Sequence, residues 1–176
     1  DSVVSVRSIA MDSFKIMERD NAACRFGYRM SVFKEHGNEV ILSAELQLKK
    51  GDQESIRSAV SEKIRYRNER HPMEYPNIGS IFKNVPVSHY PNIEIEKYSH
   101  VIKHDPFPVI PTAYLLTEAG LKGVSFGGAM FSPKHPNFIV NVLEATEADV
   151  RALIALAKNT VKEKFGIVLE EEVMYI

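Results

Sequence analysis

The spacing of apolar residues changes at Gly51-Asp52, and this change constrains the fold more than any other feature of the sequence. Before it, apolar and polar residues alternate over 40–49, which is typical of a strand with one buried face. After it, apolar residues recur at helical spacing over 53–70, and His71-Pro72 ends that pattern because proline disfavours helical geometry in the residue before it. The chain therefore combines a strand and a long helix in direct succession.

A second long helix is predicted over 147–164, with Thr146 as its N-cap and Gly166 as its end. Its apolar stripe comprises Val150, Leu153, Ile154, Ala157 and Val161. The strands and helices do not follow a strict βαβ alternation, so the predicted fold class is α+β. The remaining predictions are strands at 2–10, 14–18, 124–131 (interrupted by Gly127-Gly128), 138–140 and 167–176, helices at 92–103 and 112–119, an ordered loop at 71–90 and a non-helical segment at 105–111.

Composition excludes several classes of function. The 22 Lys and Arg residues are balanced by 23 Asp and Glu residues, whereas a nucleic-acid partner normally requires a basic excess. No apolar run approaches the ~20 residues that a membrane span requires, and no signal-peptide pattern is found at the N-terminus. Cys24 is the single cysteine, which favours a reducing, cytoplasmic location.

Common catalytic motifs are missing from the sequence. The glycines between Gly120 and Gly128 have the wrong spacing for a dinucleotide fingerprint, and no P-loop or G-x-S-x-G elbow is found. His100 and His104 are four residues apart, but no glutamate follows His100 as zinc hydrolases require. We therefore predict no metal site.

Several short glycine-containing polar segments remain. Taken singly, their aromatic residues are explained as core anchors and their glycines as turns. Together they carry Lys and Arg side chains suited to a diphosphate, Asn suited to sugar hydroxyls and Tyr suited to stacking. The segments are FGYRMSVFK (26–34), PNIGSIFKN (76–84), LKG (121–123), GGA (127–129) and KHPNF (134–138).

These segments resemble motifs of the UDP-N-acetylenolpyruvoylglucosamine reductase (MurB) family. FGYRMSVFK is similar to the family's FGYRxSxFK, PNIGSIFKN to its substrate loop, and GLKG, GGA and KHPNFIVN to three later segments in the same order. The terminal LEEEV (169–173) resembles the closing LExEV motif. The resemblance extends over residues 22–176.

The resemblance implies a flavoenzyme. Members bind FAD in an N-terminal domain, use NADPH, and reduce UDP-N-acetylglucosamine enolpyruvate to UDP-N-acetylmuramate for peptidoglycan precursors. No counterpart of the family's N-terminal flavin segment, with its catalytic arginine, is present, so the chain is interpreted as an inactive substrate-binding portion. On this reading residues 1–50 are the tail of the FAD-binding domain, 51–165 the substrate-binding domain, and 166–176 a strand returning to the N-terminal domain.

The resemblance also assigns roles to individual residues. It implies that Ser80 donates a proton and that Glu172 is the catalytic carboxylate, although three adjacent glutamates alone indicate only a solvated strand end. It implies that Arg29 contacts the cofactor. Contacts to the UDP-sugar are expected from Tyr28, Lys83, Asn84, Lys122 and His135.

A function from another class remains open. A non-catalytic nucleotide-sugar-binding domain, or a domain that interacts with a flavoprotein, would keep the same motifs without turnover. His135 also has an alternative interpretation as an ordinary loop histidine, since glutamine can occupy the matching place in the family.

Overall fold

A computed structural model describes residues 2–90, 94–104 and 107–175. The chain divides into two compact units, residues 1–58 and 59–176, and each is described by itself. Both units combine strands with helices, so the predicted α+β class is confirmed. The predicted division into parts of two domains stays a prediction.

The first unit is built on a three-stranded antiparallel sheet with the order β2-β1-β3. The strands are β1 (Val3–Ala10), β2 (Ile16–Asp20) and β3 (Glu39–Leu46), and the short helix α1 (Val32–His36) precedes β3. The predicted strands at 2–10 and 40–49 are therefore confirmed. A small buried cluster gathers around Val6 on β1, and it comprises Val6, Cys24, Val32 and Phe33.

Burial in this unit differs from the sequence prediction. The alternation over 40–49 predicts one buried face, but every residue of β3 after Glu39 is exposed. The long helix α2 (Gln53–Arg70), of which 53–58 belong to the first unit and 59–70 to the second, forms as predicted, and none of its side chains is buried. The reason is that the buried cluster gathers between β1 and α1 and does not extend to β3 or α2.

The second unit contains a four-stranded antiparallel sheet, the larger part of α2 and a further long helix. The strands are β4 (Asn77–Ser80), β7 (Ser125–Phe126), β8 (Ala129–Phe131) and β9 (Phe138–Asn141), in the order β4-β9-β8-β7. The predicted buried strand at 138–140 is confirmed. The helix α4 (Glu147–Phe165) buries Leu153, Ile154, Ala157 and Val161, which is the predicted apolar stripe apart from the half-buried Val150.

The predicted N-cap of α4 is confirmed, and it also explains the Gly127-Gly128 pair. Thr146 accepts the Asp149 N–H at 3.2 Å, and Asp149 accepts the Thr146 N–H at 2.9 Å, which completes a capping box. The same carboxylate accepts the Gly128 N–H, and a Cβ added to Gly127 would lie 2.1 Å from it. The glycines therefore form a tight hairpin between β7 and β8, not an interruption of one strand.

Long-range pairing gives structure to segments that show no local period. Residues 71–90 were predicted as loop, yet they contain β4 and also β5 (Val85–Pro86), which pairs with β6 (Val109–Ile110). The predicted helix at 92–103 is reduced to a short 3₁₀ turn, Ile95–Tyr98, and residues 92–93 lie outside the described residues. The second 3₁₀ turn covers Val87–His89, and α3 (Thr112–Glu118) confirms the predicted short helix.

The last segment forms an isolated bridge in place of the predicted strand at 167–176. Glu171 pairs with Phe82 in antiparallel fashion, and Ile167 and Leu169 are buried in the core of the second unit. Across the described residues, no helix combines the length and apolar composition needed to cross a membrane.

Candidate functional site

Ser80 lies at the end of β4, directly after a glycine whose backbone is left-handed. Gly79 has a φ of 88°, a conformation that residues with a Cβ rarely adopt, so the sequence requires glycine at this turn. Ser80 pairs with Phe138 of β9 and is half-buried. Within the described residues its hydroxyl makes no hydrogen bond, so the group is available to a bound molecule.

The backbone after Ser80 is paired with the glutamate-rich segment at the end of the chain. Glu172 donates its N–H to the Ile81 carbonyl at 2.8 Å, and Lys83 donates its N–H to the Glu170 carbonyl at 2.9 Å. Together with the Phe82–Glu171 bridge, these bonds hold the two predicted catalytic residues, Ser80 and Glu172, on adjacent backbone segments.

A buried asparagine fixes the same segment from its other side. The side chain of Asn137 donates to the Phe82 carbonyl at 2.8 Å and accepts the Phe82 N–H at 3.1 Å. The Asn137 carbonyl accepts the Ile81 N–H at 2.8 Å. Asn137 lies inside the KHPNF segment, whose sequence indicates no individual role for it. Because both bonds go to the Phe82 backbone, this residue sets the course of the chain immediately after Ser80.

Lys83 and Asn84 continue the paired segment and connect it to α3. The Lys83 ammonium is 2.9 Å from the Glu170 carboxylate, so it has an ionic partner within the chain. The Asn84 side-chain oxygen accepts the N–H of Thr112 at 3.1 Å, and the Thr112 hydroxyl donates to the Lys83 carbonyl. Asn84 therefore caps the first residue of α3, which is a structural role in addition to the predicted substrate contact.

His135 lies in the turn that precedes β9, close to the strand that pairs with Ser80. Its ring is 4.8 Å from the Phe138 ring and 5.3 Å from the His71 ring. Burial lowers the pKa of His135, and the neighbouring His71 lowers it further, so the ring is neutral near pH 7. Within the described part of the chain, its buried Nδ1 atom has no hydrogen-bond partner.

Lys122 is exposed on a loop that extends the β7–β8 hairpin. Gly123, with a φ of 78°, donates its N–H to the Phe131 carbonyl, and Ser132 donates its N–H to the Phe138 carbonyl. Lys122 thus lies beside the β7 edge of the four-stranded sheet, whereas Ser80 lies on β4 at the other edge. Among the residues that the structure describes, its ammonium makes no ion pair.

Tyr28 and Arg29 belong to the first unit, where they form the centre of a tight turn. Gly27 and Met30 exchange backbone hydrogen bonds of 3.0 and 3.2 Å across this turn. Arg29 has a φ of 59° and an exposed side chain, and Tyr28 is half-buried. Tyr28 and Arg29 are thus the two residues that connect Gly27 to Met30.

Comparison with known proteins places the chain in a family. Residues 71–176 match the model of the UDP-N-acetylenolpyruvoylglucosamine reductase C-terminal domain. The chain belongs to the UDP-N-acetylenolpyruvoylglucosamine reductase family. The resemblance stated from the motifs is thereby confirmed.

Relatives of this family match the chain along nearly its whole length. A UDP-N-acetylenolpyruvoylglucosamine reductase of Solibacter usitatus is 36% identical over 158 residues, 89% of this chain and 50% of the relative. The enzyme of Streptococcus thermophilus is 37% identical over 174 residues, 99% of this chain and 49% of the relative. The chain therefore spans about half the length of the curated relatives it matches.

A solved structure of the family also matches. The crystal structure of UDP-N-acetylenolpyruvylglucosamine reductase (MurB) from Thermus caldophilus superposes with a TM-score of 0.71 at 26% identity. The match covers 99% of this chain and 53% of the other. The reductase fold thus accounts for both units of the chain.

Proposed function

We propose that this chain is the substrate-binding portion of an FAD- and NADPH-dependent reductase that converts UDP-N-acetylglucosamine enolpyruvate to UDP-N-acetylmuramate in peptidoglycan precursor synthesis. The observation that carries the proposal is the backbone pairing of Ile81–Lys83 with Glu170–Glu172, which brings the Ser80 and Glu172 segments side by side. The names of the relatives support the substrate class.

Ser80 is the proposed proton donor. In the proposed reaction, a bound flavin already reduced by NADPH would supply the hydride for the methylene carbon of the enolpyruvyl group, and the adjacent carbon would then require a proton. Ser80 is half-buried and follows the Gly79 turn. Its hydroxyl makes no hydrogen bond among the described residues, so no acceptor among them competes with the substrate for its proton. A weakly acidic hydroxyl suffices because the enolic acceptor is strongly basic and the geometry is fixed.

Glu172 is the proposed catalytic carboxylate. Negative charge develops toward the substrate carboxylate during the reduction, and a protonated or hydrogen-bonded Glu172 would stabilise the enol form of that group. Its backbone N–H is bound to Ile81, the residue that follows Ser80. This pairing supports a joint action of Ser80 and Glu172 on one substrate group.

The nucleotide end of the substrate is proposed to extend across the sheet toward Lys122. A diphosphate requires a cation that is not already neutralised, and Lys122 is exposed without an ion pair among the described residues, whereas Lys83 is paired with Glu170. Because Ser80 and Lys122 lie toward opposite edges of the same sheet, the substrate is proposed to bind in an extended form. Tyr28, Lys83, Asn84 and His135 are proposed as further substrate contacts.

The turn at 27–30 is proposed to contact one edge of FAD. The exposed Arg29 side chain offers one cationic contact, while the Gly27 and Met30 amides are bonded to each other's carbonyls and cannot cradle a diphosphate. We therefore propose that most of FAD is bound by an N-terminal domain, for which the greater length of the relatives leaves room, with NADPH as hydride donor. Residues 1–50 are proposed to belong with that domain and 51–165 to form the substrate-binding domain. Residues 166–176 are proposed to return to the N-terminal domain, although Ile167 and Leu169 are buried in the core of the second unit.

A cytoplasmic location is part of the same proposal. NADPH and nucleotide sugars are cytoplasmic substrates, and Cys24 is a free thiol buried in the first unit. A free thiol agrees with a reducing compartment.

The proposal is tested by Ser80→Ala in a full-length enzyme that carries this chain together with a flavin-binding domain. If Ser80 donates only the final proton, flavin reduction by NADPH should stay nearly intact, while reoxidation by the enolpyruvyl substrate should slow by ~10²–10⁴-fold. Stopped-flow absorbance of the flavin separates the two half-reactions.

Ser88→Ala is the matched control, because Ser88 is an exposed serine outside the paired segments. It should leave both half-reactions unchanged. If Ser80→Ala slows flavin reduction and not reoxidation, Ser80 is not the acid. If the unmodified enzyme binds the UDP-sugar and never reduces it, a non-catalytic nucleotide-sugar-binding domain is the better description.

A further inference from the structure

Glu171, in the terminal glutamate run, has a partner for each of its two carboxylate oxygens. One of its oxygens accepts from the Lys158 ammonium at 2.8 Å, and the other accepts from the Tyr175 hydroxyl at 2.8 Å. The side chain is 21% exposed, so it is well shielded for a surface glutamate. The hydrogen bond from Lys158 is the main cause that lowers the pKa of Glu171, and the Tyr175 hydroxyl adds to it.

Both partners of Glu171 are themselves attached to helix α4. Lys158 is a residue of the helix, and the guanidinium of Arg151 lies 3.6 Å from the centre of the Tyr175 ring. Arg151 is fixed in turn by Glu147, one helical turn earlier, at 2.6 Å. Arg151 and Lys158 are seven residues apart, so they lie on the same face of α4.

The backbone of the same segment is attached on its other side to the loop that carries Ser80. Glu170 accepts the Lys83 N–H, Glu171 pairs with Phe82, and Glu172 donates to Ile81. Glu171 therefore connects the helix through its side chain and the Ser80 loop through its backbone. The closing motif LExEV leaves the position of Glu171 open, so the motif itself gives this residue no role.

We propose that Glu171 is a positioning residue, which together with Lys158 and Tyr175 anchors the terminal segment to α4 and so fixes Glu172 beside the Ser80 loop. This inference rests on the proposed function, because it assumes that Glu172 acts on the substrate. Loss of the anchor lets the backbone at Glu172 move away from Ile81, and a small misplacement of a catalytic group slows the chemical step more than it weakens binding.

The first test measures the anchor without any catalysis. In the 176-residue chain, Glu171→Gln should speed amide hydrogen exchange at Glu172 and Lys83 by roughly tenfold or more, as expected for loss of a hydrogen bond between charged groups. Glu163→Gln is the matched control, since Glu163 is an exposed glutamate on α4 with no ion pair among the described residues, and it should leave both rates unchanged.

The second test measures the effect on turnover in a full-length enzyme that carries this chain and a flavin-binding domain. Glu171→Gln should lower kcat by roughly 10- to 100-fold, with little change in KM for the UDP-sugar. Tyr175→Phe keeps the ring on Arg151 and removes only the hydroxyl, so it should give a smaller loss in the same direction. This milder variant preserves the test if Glu171→Gln does not fold.

The outcomes separate the two ideas. If Glu172→Gln leaves turnover unchanged, the proposed catalytic role of Glu172 fails, whatever the exchange rates show. If Glu172→Gln lowers kcat, but Glu171→Gln and Tyr175→Phe change neither kcat nor the exchange of the Glu172 amide, the positioning role is overturned. A rise in KM alone, at constant kcat, would equally overturn it.

Discussion

Helices α2 and α4 have almost the same length and very different surroundings. Each begins at a side-chain cap and each carries an apolar stripe in its sequence. In α4 the stripe is packed into the core of the second unit, with Leu153 and Ala157 fully buried. In α2 no side chain is buried, and Ile64 is 56% exposed.

The difference teaches that an amphipathic period predicts a helix and leaves open whether a partner covers its apolar face. The period reflects only which residues share a face. Burial also requires a complementary surface, which α4 finds in β7 and β8 of its own unit. For this chain, the free energy of unfolding should therefore depend on the two stripes to very different extents.

The largest expected effect comes from shortening one side chain in each stripe. Leu153→Ala should reduce the free energy of unfolding by about 2–5 kcal/mol, because it removes buried methyl groups and leaves a cavity. Ile64→Ala should change it by no more than about 0.5 kcal/mol, as for other exposed positions. Urea denaturation followed by far-ultraviolet circular dichroism measures both.

Equal losses in the two variants would break the comparison, since they would mean that the α2 stripe is covered in solution. Repeating the measurement over a range of protein concentrations provides the control. A loss for Ile64→Ala that disappears on dilution would assign the cover to a second copy of the chain.

The predictions that succeeded rest on strong local signals. The helices at 53–70 and 147–164 have a clear period, and Thr146 and Gly166 mark the ends of the second. The strands β4, β5 and β6 were not predicted, because each is two to four residues long and is defined by a partner far away in the sequence. Local periodicity contains no information about such pairing.

In the candidate site, too, the sequence predicts individual residues, whereas only the structure shows how distant segments are brought together. The motifs gave Ser80 and Glu172 as candidates, and their common location depends on backbone bonds between segments that are separated by about half of the chain. Asn137 was within a quoted motif, but only the structure shows that its amide is bonded to the Phe82 backbone. The anchor formed by Lys158, Glu171 and Tyr175 has no local signal, because its residues belong to a helix and to a separate terminal segment.

An intermediate effect is expected from two asparagines that extend the comparison to polar groups. Asn137→Ala should cost about 1–3 kcal/mol, because it leaves the buried N–H and carbonyl of Phe82 without partners. Asn21→Ala, in the first unit, removes a single bond of 3.0 Å to the Val3 carbonyl at the start of β1, and the loss should be smaller. Urea denaturation measures the loss in free energy of unfolding for both variants. Equal losses would mean that the second unit depends no more on hydrogen bonds to buried backbone groups than the first unit does.

The smallest effect sharpens the comparison at the helix caps. Thr146→Ala removes the side-chain half of the capping box of α4 and should lower the free energy of unfolding by about 1 kcal/mol.

Asp52 accepts the Ser55 N–H at 2.8 Å at the start of α2, so Asp52→Ala removes a comparable cap. Because α2 buries no side chain, its first turn can fray without disturbing a core, and the change should appear as faster amide exchange at Ser55 with little shift in the urea midpoint. Thr146→Ala should instead shift the midpoint, since α4 unfolds together with the core that it covers. If both variants shift the midpoint equally, the first turn of α2 is coupled to the rest of the chain as tightly as that of α4.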